Sequence, residues 1–254
     1  MSYNKKIALI TGGSRGLGKN MAIAIAKKGI DVVLTYHSRS KEALEVVDSI
    51  EQLGQKAVAL KLDTADTSGF DAFTKHLRES LVATWNTDCF DFLINNAGFG
   101  NSADFATTSE EQFDSLMQIH FKGVFFLTQA TIPLLNDGGA IINISTGLTR
   151  FTSPGFAAYA SMKGAIEVLT KYQAKELAEI GLRVNVVAPG AIETDFGGGF
   201  VRDNPQANEH IAGVTALGRA GLPDDIGGVV AFLCTEEARW ITGQRIEVSG
   251  GMNL

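Results

Sequence analysis

Short apolar runs rich in β-branched residues alternate with longer amphipathic segments along the chain. Such runs predict strands buried on both faces, and apolar residues at helical spacing predict the helices between them. The predicted strands span residues 7–10, 31–35, 56–62, 90–94, 140–144, 183–188 and 245–248. The predicted helices span residues 15–28, 41–53, 70–83, 109–135 and 157–179, and a last one begins at Pro223. This alternation predicts a doubly wound α/β fold with helices on both faces of a seven-stranded parallel sheet.

Turn and cap residues sharpen several of these boundaries. Ser40 is a candidate N-cap of the second helix and Gly54 marks its end. Ser109 and Gln112 have the spacing of a capping box, in which each side chain bonds the other residue's backbone amide. Residues 191–222 are rich in glycine and lack a regular pattern, so we expect a substrate loop that closes as a lid.

Composition narrows the class of protein. The 254 residues are 45% hydrophobic and contain no linker-like stretch, which predicts one domain over residues 1–254. A net charge of -6 without a basic run disfavours nucleic acid and anionic membranes as partners. No signal peptide or membrane-length apolar run is evident, and two distant cysteines disfavour a disulfide framework, so a cytoplasmic protein is expected. The four scattered histidines disfavour a metal site.

A glycine-rich turn follows the first predicted strand. Gly12 follows that strand, and Gly16 and Gly18 fall in the first turn of the next predicted helix. The first amides of a helix lack intrahelical partners and sit at the positive end of its dipole. The turn therefore predicts a binding site for the pyrophosphate of a dinucleotide, although glycine also serves ordinary tight turns.

Polar or glycine-rich turns also follow the other central strands. They are Asp63, residues 95–98, Ser145 with Thr146, and Pro189 with Gly190. Because the carboxyl ends of parallel strands share one edge of the sheet, these turns predict a single ligand-binding cleft there. Asp63 is placed to hydrogen-bond an adenine edge, and a turn cap is its alternative role.

The second strand indicates which dinucleotide the cleft prefers. NAD-binding folds usually carry an acidic residue near the end of the second strand, whereas this chain has Ser38 and Arg39 there. Arg39 and Arg15 could make charge-assisted bonds to a 2′-phosphate. NADP(H) is therefore predicted over NAD(H), with solvated surface arginines as the alternative interpretation.

Tyr159 and Lys163 carry the predicted chemistry. Their i,i+4 spacing on a predicted helix places both side chains on one face. A neighbouring ammonium favours the phenolate and is expected to lower the pKa of Tyr159, which could then exchange a proton with a ketone or an alcohol. An ordinary amphipathic helix face is the alternative.

Together these pieces resemble the short-chain dehydrogenase/reductase family over essentially the whole chain. The matching segments are residues 11–18, Asp63, residues 95–98, Tyr159 with Lys163, Pro189 with Gly190, and residues 242–251. The resemblance implies a Rossmann fold in which Lys163 contacts the nicotinamide ribose, and Ile192 and Thr194 hold the carboxamide. Family members are commonly homotetramers built partly through two long helices, so a homotetramer or homodimer is expected.

The patterns and the resemblance together define the candidate site. The candidate cofactor-binding residues are Gly12, Ser14, Arg15, Gly16, Leu17, Gly18, Ser38, Arg39, Asp63, Thr64, Asn96, Ala97, Gly98, Tyr159, Lys163, Pro189, Gly190, Ile192 and Thr194. The candidate catalytic residues are Tyr159, Lys163, Thr146, Ser145 and His120.

Two of these catalytic positions depart from the family pattern. The family generally has a serine where this chain has Thr146, which keeps the hydroxyl that bonds the substrate oxygen; Ser145 is the fallback. His120 stands where the family generally has an asparagine that helps to hold a proton-relaying water chain. Histidine could replace that relay with an unusual pH dependence, break it and weaken activity, or be a satisfied buried side chain.

The substrate is less constrained by the sequence. Five phenylalanines could line an apolar pocket: Phe99, Phe151, Phe156, Phe196 and Phe200. The overall likeness is to reductases of the 3-oxoacyl-(acyl carrier protein) type, and docking of an acidic carrier would need cations such as Arg150, Arg202 and Arg219. We predict an NADP(H)-dependent oxidoreductase that interconverts a free or carrier-bound ketone and a secondary alcohol. The alternatives are an NAD-dependent alcohol dehydrogenase and a catalytically weak NADP-binding sensor or scaffold.

Overall fold

The predicted strands form one parallel sheet in the computed structural model, which describes residues 5–254. They are β1 (Ile7–Ile10), β2 (Asp31–Tyr36), β3 (Ala57–Lys61), β4 (Phe90–Asn95), β5 (Leu135–Ile144), β6 (Arg183–Pro189) and β7 (Arg245–Val248). Their order is β3-β2-β1-β4-β5-β6-β7, and every neighbouring pair is parallel. The winding reverses between β1 and β4, which is where a doubly wound sheet opens a ligand crevice. The predicted fold class is confirmed.

Helices cover both faces of the sheet. They are α1 (Gly16–Ala26), α2 (Ser40–Glu51), α3 (Phe70–Trp85), α4 (Glu110–Met117), α5 (Gly123–Thr131), α6 (Ala157–Glu176), α7 (Phe200–Asp203), α8 (Pro205–Gly213) and α9 (Pro223–Leu233). Because successive strand residues face opposite ways, Ala8 and Ile10 pack in the core under α1, α2 and α9. Ile7 and Leu9 pack in the core under α3, α5 and α6.

The long helix predicted over residues 109–135 is interrupted. The capping box of Ser109 and Gln112 is present, and α4 follows it. A π-helical turn, Gln118–Lys122, then separates α4 from α5 and carries the buried His120. Such turns insert extra backbone into a helix and are frequent at functional sites. Gly123 follows the turn, and a side chain there would lie 2.1 Å from the Thr64 carbonyl oxygen.

Other boundaries also differ from the prediction. Ser40 is the first residue of α2, and Arg39 holds the N-cap position without a side-chain capping bond. The predicted Ser40 cap is therefore wrong by one residue. Residues 191–222 contain α7 and α8, and a bridge between Ile192 and Gly221 joins the two ends of the segment. This segment is more regular than its glycine content indicates.

Residues 5–254 contain neither a membrane-spanning helix nor a cluster of metal ligands. No helix there is long and apolar enough to cross a membrane. The same residues contain no group of three or more His, Cys, Asp or Glu side chains arranged to hold a metal ion.

Candidate active site

Four predicted catalytic side chains meet at the carboxyl edge of the sheet. Tyr159 and Lys163 lie one turn apart on α6 and are only 7% and 4% exposed. The hydroxyl of Thr146, just after β5, lies beside that of Tyr159, close enough to influence its pKa. The ring of His120 stands edge-on to that of Tyr159, with 5.1 Å between ring centroids. The sequence-predicted group is therefore one cluster in space.

Lys163 is anchored beside Tyr159 by the backbone of β5. Its ammonium donates a hydrogen bond to the Ile144 carbonyl at 2.7 Å and lies 5.9 Å from the centroid of the Tyr159 ring. Burial lowers the pKa of Lys163 to about 8, because water no longer solvates the charged form. At neutral pH the group still carries its proton and a positive charge.

The expected lowering of the Tyr159 pKa is wrong for this arrangement. Burial raises the pKa of Tyr159 above its ordinary value near 10, and only the neighbouring Thr146 hydroxyl acts against that rise. The Lys163 ammonium is directed at the Ile144 carbonyl rather than at the phenol oxygen. Tyr159 is therefore a neutral phenol with a proton to donate.

Thr146 and Ser145 point to different neighbours. The Thr146 oxygen accepts a bond from the Leu148 amide at 3.3 Å, which leaves the hydroxyl proton for another acceptor. The Ser145 hydroxyl instead donates to a carboxylate oxygen of Glu167 at 2.7 Å. The geometry favours Thr146 as the donor to a substrate oxygen over the fallback, Ser145, whose hydroxyl is engaged with Glu167.

His120 is a buried neutral side chain. Its Nε2 lies 2.8 Å from the Phe99 carbonyl, which can only accept, so Nε2 carries the proton. Nδ1 is buried without a partner among residues 5–254. Burial and then the Lys163 charge lower the pKa of His120 to about 3, despite the bond to Phe99. A histidine relay that titrates near neutrality is therefore disfavoured, and His120 instead holds the loop at Phe99.

Replacing His120 by asparagine is expected to change how stability depends on pH. The folded-state pKa of about 3 lies below the unfolded value near 6.5, so the unfolded chain binds a proton first as pH falls. The neutral His120 makes its full contribution to the unfolding free energy of the wild type above pH ~6.5, and this contribution is lost progressively as the pH falls below that value. From pH ~7.5 to pH ~5, the wild type should lose about 2 kcal/mol more unfolding free energy than His120→Asn. Urea unfolding of both proteins at the two pH values measures the difference, and parallel losses would contradict the assignment.

The glycine turn and α1 form a cradle that fits a pyrophosphate. Arg15 occupies the N-cap position of α1 but makes no side-chain capping bond. Gly12 and Gly16 have φ angles of 66° and 53°, which residues with a Cβ rarely adopt. The Asn96 side-chain amide donates to the backbone carbonyls of Thr11 and Gly12 at 2.9 and 3.2 Å. Asn96 therefore fixes the turn through its side chain.

The residues predicted to bind the 2′-phosphate and adenine lie on the surface near the end of β2. Arg39 pairs with Glu42 at 3.0 Å, and the exposed Ser38 precedes it. Asp63 accepts a bond from the Ala65 amide at 2.9 Å, which is the turn-capping alternative. These bonds are on exposed groups, so a bound phosphate or adenine could replace them at small cost.

Arg15 belongs to the glycine turn itself, and its side chain faces residues 191–222. It pairs with Asp195 at 3.3 Å, and Asp195 also pairs with Arg202. A side chain built at Gly16 would reach within 3.8 Å of Thr194, so the turn and this segment face each other. Thr194 is buried and caps the Phe196 amide at 3.1 Å.

The remaining predicted cofactor residues surround the same crevice. A Cβ at Gly98 would lie 2.5 Å from His120, and one at Gly190 would lie 2.9 Å from Ser249, so both glycines permit close packing. Ser14 is buried. Leu17 lies in the first turn of α1, and the others lie on turns or strand ends at this edge of the sheet: Thr64, Ala97, Pro189 and Ile192.

Three of the five candidate pocket phenylalanines lie around the catalytic cluster. The ring centroids of Phe196 and Phe156 are 5.8 and 6.5 Å from that of Tyr159, and Phe99 is 5.6 Å from His120. Phe196 is 43% exposed, so one side of this aromatic wall is open to a ligand. The two that make no such ring contact within the described residues are Phe151 and Phe200.

The three arginines considered for carrier docking are each compensated. The pairs, all at 2.7 Å, are Arg150 with Glu247, Arg202 with Asp203, and Arg219 with Asp225. Neutralised in this way, they do not form the basic patch that an acidic carrier would need.

Sequence reasoning missed the buried polar groups behind the cluster. Glu167 accepts from Ser145 and is paired with Arg245 at 2.8 Å. Asn95 and Asn143 share a hydrogen bond at 2.9 Å between β4 and β5. The spacing of Glu167, four residues after Lys163 and eight after Tyr159, was the available signal.

Comparison with known proteins agrees with this geometry. The family model described as enoyl-(acyl carrier protein) reductase matches residues 12–253. A 3-oxoacyl-[acyl-carrier-protein] reductase of Staphylococcus aureus is 35% identical over 251 residues, or 98% of each chain. Reductase LugOII, which catalyses keto-reduction at C1 in lugdunomycin biosynthesis, is 36% identical with full coverage of both chains and a TM-score of 0.93.

A second solved structure carries a nucleotide. The angucycline C-6 ketoreductase LanV, with bound NADP, is 34% identical over 99% of this chain and 97% of its own, with a TM-score of 0.93. The family match and these relatives cover nearly the whole chain. This protein belongs to the short-chain dehydrogenase/reductase family of oxidoreductases.

Proposed function

We propose that this protein reduces a ketone to a secondary alcohol with NADPH as the reductant. The observation that carries the proposal is the buried phenol of Tyr159, which lies beside the Thr146 hydroxyl and is flanked by the Lys163 ammonium. A neutral phenol is the form that can give a proton to a ketone oxygen, so the cluster is poised for reduction. The keto-reduction named for LugOII supports the same reaction class.

The chain's own residues supply acid catalysis and orientation. The Thr146 hydroxyl donates a hydrogen bond to the ketone oxygen and directs it toward Tyr159. NADPH, when bound, supplies the hydride that reaches the carbonyl carbon. Tyr159 gives its proton to the oxygen, and the nearby Lys163 ammonium stabilises the phenolate that remains. The alcohol formed has gained one hydride and one proton.

The glycine turn and the two arginines would hold the cofactor. The uncapped amides of α1 suit a pyrophosphate, and Arg39, with Arg15 once it leaves its exposed pair with Asp195, suits a 2′-phosphate. One charge-assisted bond of about 1.5–3 kcal/mol would favour NADPH over NADH roughly 10- to 150-fold. The NADP bound to LanV supports this preference.

A 3-oxoacyl thioester on a carrier protein is the second candidate substrate, supported by the name of the S. aureus relative. The compensated charges of Arg150, Arg202 and Arg219 argue against it. The open aromatic wall at Phe196 suits a free apolar ketone. We therefore propose a free ketone as the preferred substrate.

A substrate panel tests both parts of the proposal. We expect the wild type to oxidise NADPH with free aromatic and aliphatic ketones, and NADH at least about 10-fold less efficiently. The same ketoacyl group should react no better on a carrier protein than as a short thioester, because docking adds no affinity. A carrier-bound substrate preferred by 10-fold or more would establish the second candidate instead. Consumption of neither cofactor with any ketone would contradict the function.

A further inference from the structure

We propose that Glu167 is a positioning residue that holds the turn carrying Thr146 in register with Tyr159. This role rests on the proposed ketone reduction, because it concerns the donor and the acid of that reaction. The Glu167 carboxylate bonds groups that flank Thr146, rather than the reacting phenol or the Thr146 hydroxyl itself. Glu167 therefore acts on the backbone turn that carries Thr146.

One carboxylate oxygen of Glu167 collects three donors from different elements. The Ser145 hydroxyl donates to Oε1 at 2.7 Å, the Thr149 hydroxyl at 2.6 Å, and Arg245 Nε at 2.8 Å. Ser145 and Thr149 enclose the short turn Gly147–Thr149 and its N-cap, Thr146. Both ends of the turn are therefore pinned to a single atom on α6.

Arg245 makes the second connection to the same turn. From β7 its Nη2 donates to the Thr146 carbonyl at 3.3 Å and to the Thr149 hydroxyl at 3.1 Å. Its Nη1 pairs with Glu247 at 2.8 Å. The guanidinium thus ties the backbone of Thr146 to β7, while Glu167 ties the flanking residues to α6.

The helix geometry explains why this anchor affects catalysis. Tyr159, Lys163 and Glu167 are spaced at i, i+4 and i+8 on α6, so they follow one another along one face. The Glu167 side chain is 17% exposed and the Arg245 side chain 24%, which limits competition by water. The same helix therefore carries the acid, Tyr159, and Glu167, which anchors the turn of Thr146.

This arrangement makes a specific kinetic prediction. Glu167→Ala removes the shared acceptor, so the Thr146 hydroxyl spends less time aligned with Tyr159. We expect kcat to fall roughly 10- to 100-fold, with KM changed less than about 3-fold and NADPH affinity unchanged. Glu167→Gln keeps an acceptor oxygen but loses the charge facing Arg245, and a smaller loss is expected.

A double-mutant cycle separates positioning from a general structural role. In a Thr146→Ala background, Glu167→Gln should change kcat less than about 2-fold, because the hydroxyl it positions is gone. The matched control is Glu176→Gln, at an exposed position on the same helix. An equal Glu167→Gln effect in both backgrounds, or wild-type kcat in Glu167→Ala, would overturn the proposal.

Hydrogen–deuterium exchange provides a readout that needs no substrate. Amides of residues 146–150 should exchange at least about 10-fold faster in Glu167→Ala, while those of α6 around Tyr159 stay protected. If the wild type reduces no ketone, the proposed function fails and this exchange alone decides whether Glu167 anchors the turn. Unchanged exchange in the turn would refute the anchor even in an active enzyme.

Discussion

Tyr159→Phe is expected to lower kcat for ketone reduction by roughly 10²–10⁴-fold. The substitution removes the buried hydroxyl whose proton Tyr159 would give to the ketone oxygen. The phenylalanine ring keeps the edge-on contact with His120 and the contact with Phe196, so the fold should be preserved. NADPH oxidation measured at saturating ketone gives kcat, and fluorescence titration should show NADPH affinity within about 3-fold of the wild type.

The same helix offers a matched control for this change. Tyr172 lies on α6 but is 63% exposed and outside the cluster. Tyr172→Phe should retain wild-type kcat within about 2-fold, since an exposed hydroxyl contributes little to packing. Equal activity of wild type and Tyr159→Phe would remove Tyr159 from the role of acid.

Gly18→Ala is expected to weaken NADPH binding roughly 100-fold and to lower the unfolding free energy by about 1–3 kcal/mol. A Cβ at Gly18 would lie 2.1 Å from the Gly12 carbonyl oxygen and 2.7 Å from the Asn96 side-chain amide. The Gly12 carbonyl belongs to the turn itself, so α1 must move away from the cradle to make room. Two misaligned amide bonds to a charged phosphate account for the expected loss of affinity.

Gly228→Ala is the control for the glycine change. Gly228 lies within α9, and a Cβ there would meet nothing within 4 Å. Alanine is the better helix former, so this variant should be as stable as the wild type or slightly more so. NADPH titration and thermal unfolding of both variants measure the two effects. Wild-type affinity in Gly18→Ala would mean that the turn does not hold the cofactor.

The fold and the main members of the cluster could be predicted from the sequence because their signals are local. Apolar periodicity defines the strands, and parallel strands bring their carboxyl ends to one edge by topology alone. The i,i+4 spacing of Tyr159 and Lys163 fixes their common face once the helix is assigned. The strand pattern, the shared sheet edge and the helical spacing each depend on few residues and not on how side chains pack.

Properties that arise from packing could not be predicted in this way. The pKa of Tyr159 rises rather than falls because burial dominates, and because the Lys163 ammonium is directed at the Ile144 carbonyl, a direction that the sequence does not specify. His120 is neutral because a π-helical turn buries it against Phe99. Glu167 and Arg245 are 78 residues apart in the chain, and only the fold brings them together at the Thr146 turn.

Transfer of deuterium from NADPH labelled at both C4 hydrogens tests the central claim most directly. The wild type would be incubated with the labelled cofactor and the best ketone of the panel, and the alcohol analysed by mass spectrometry. Our account predicts one deuterium on the carbinol carbon of the product, formed in step with NADPH oxidation and reduced at least about 100-fold in Tyr159→Phe. Tight NADPH binding without deuterated alcohol from any ketone would contradict it, and would indicate a cofactor-binding sensor or scaffold.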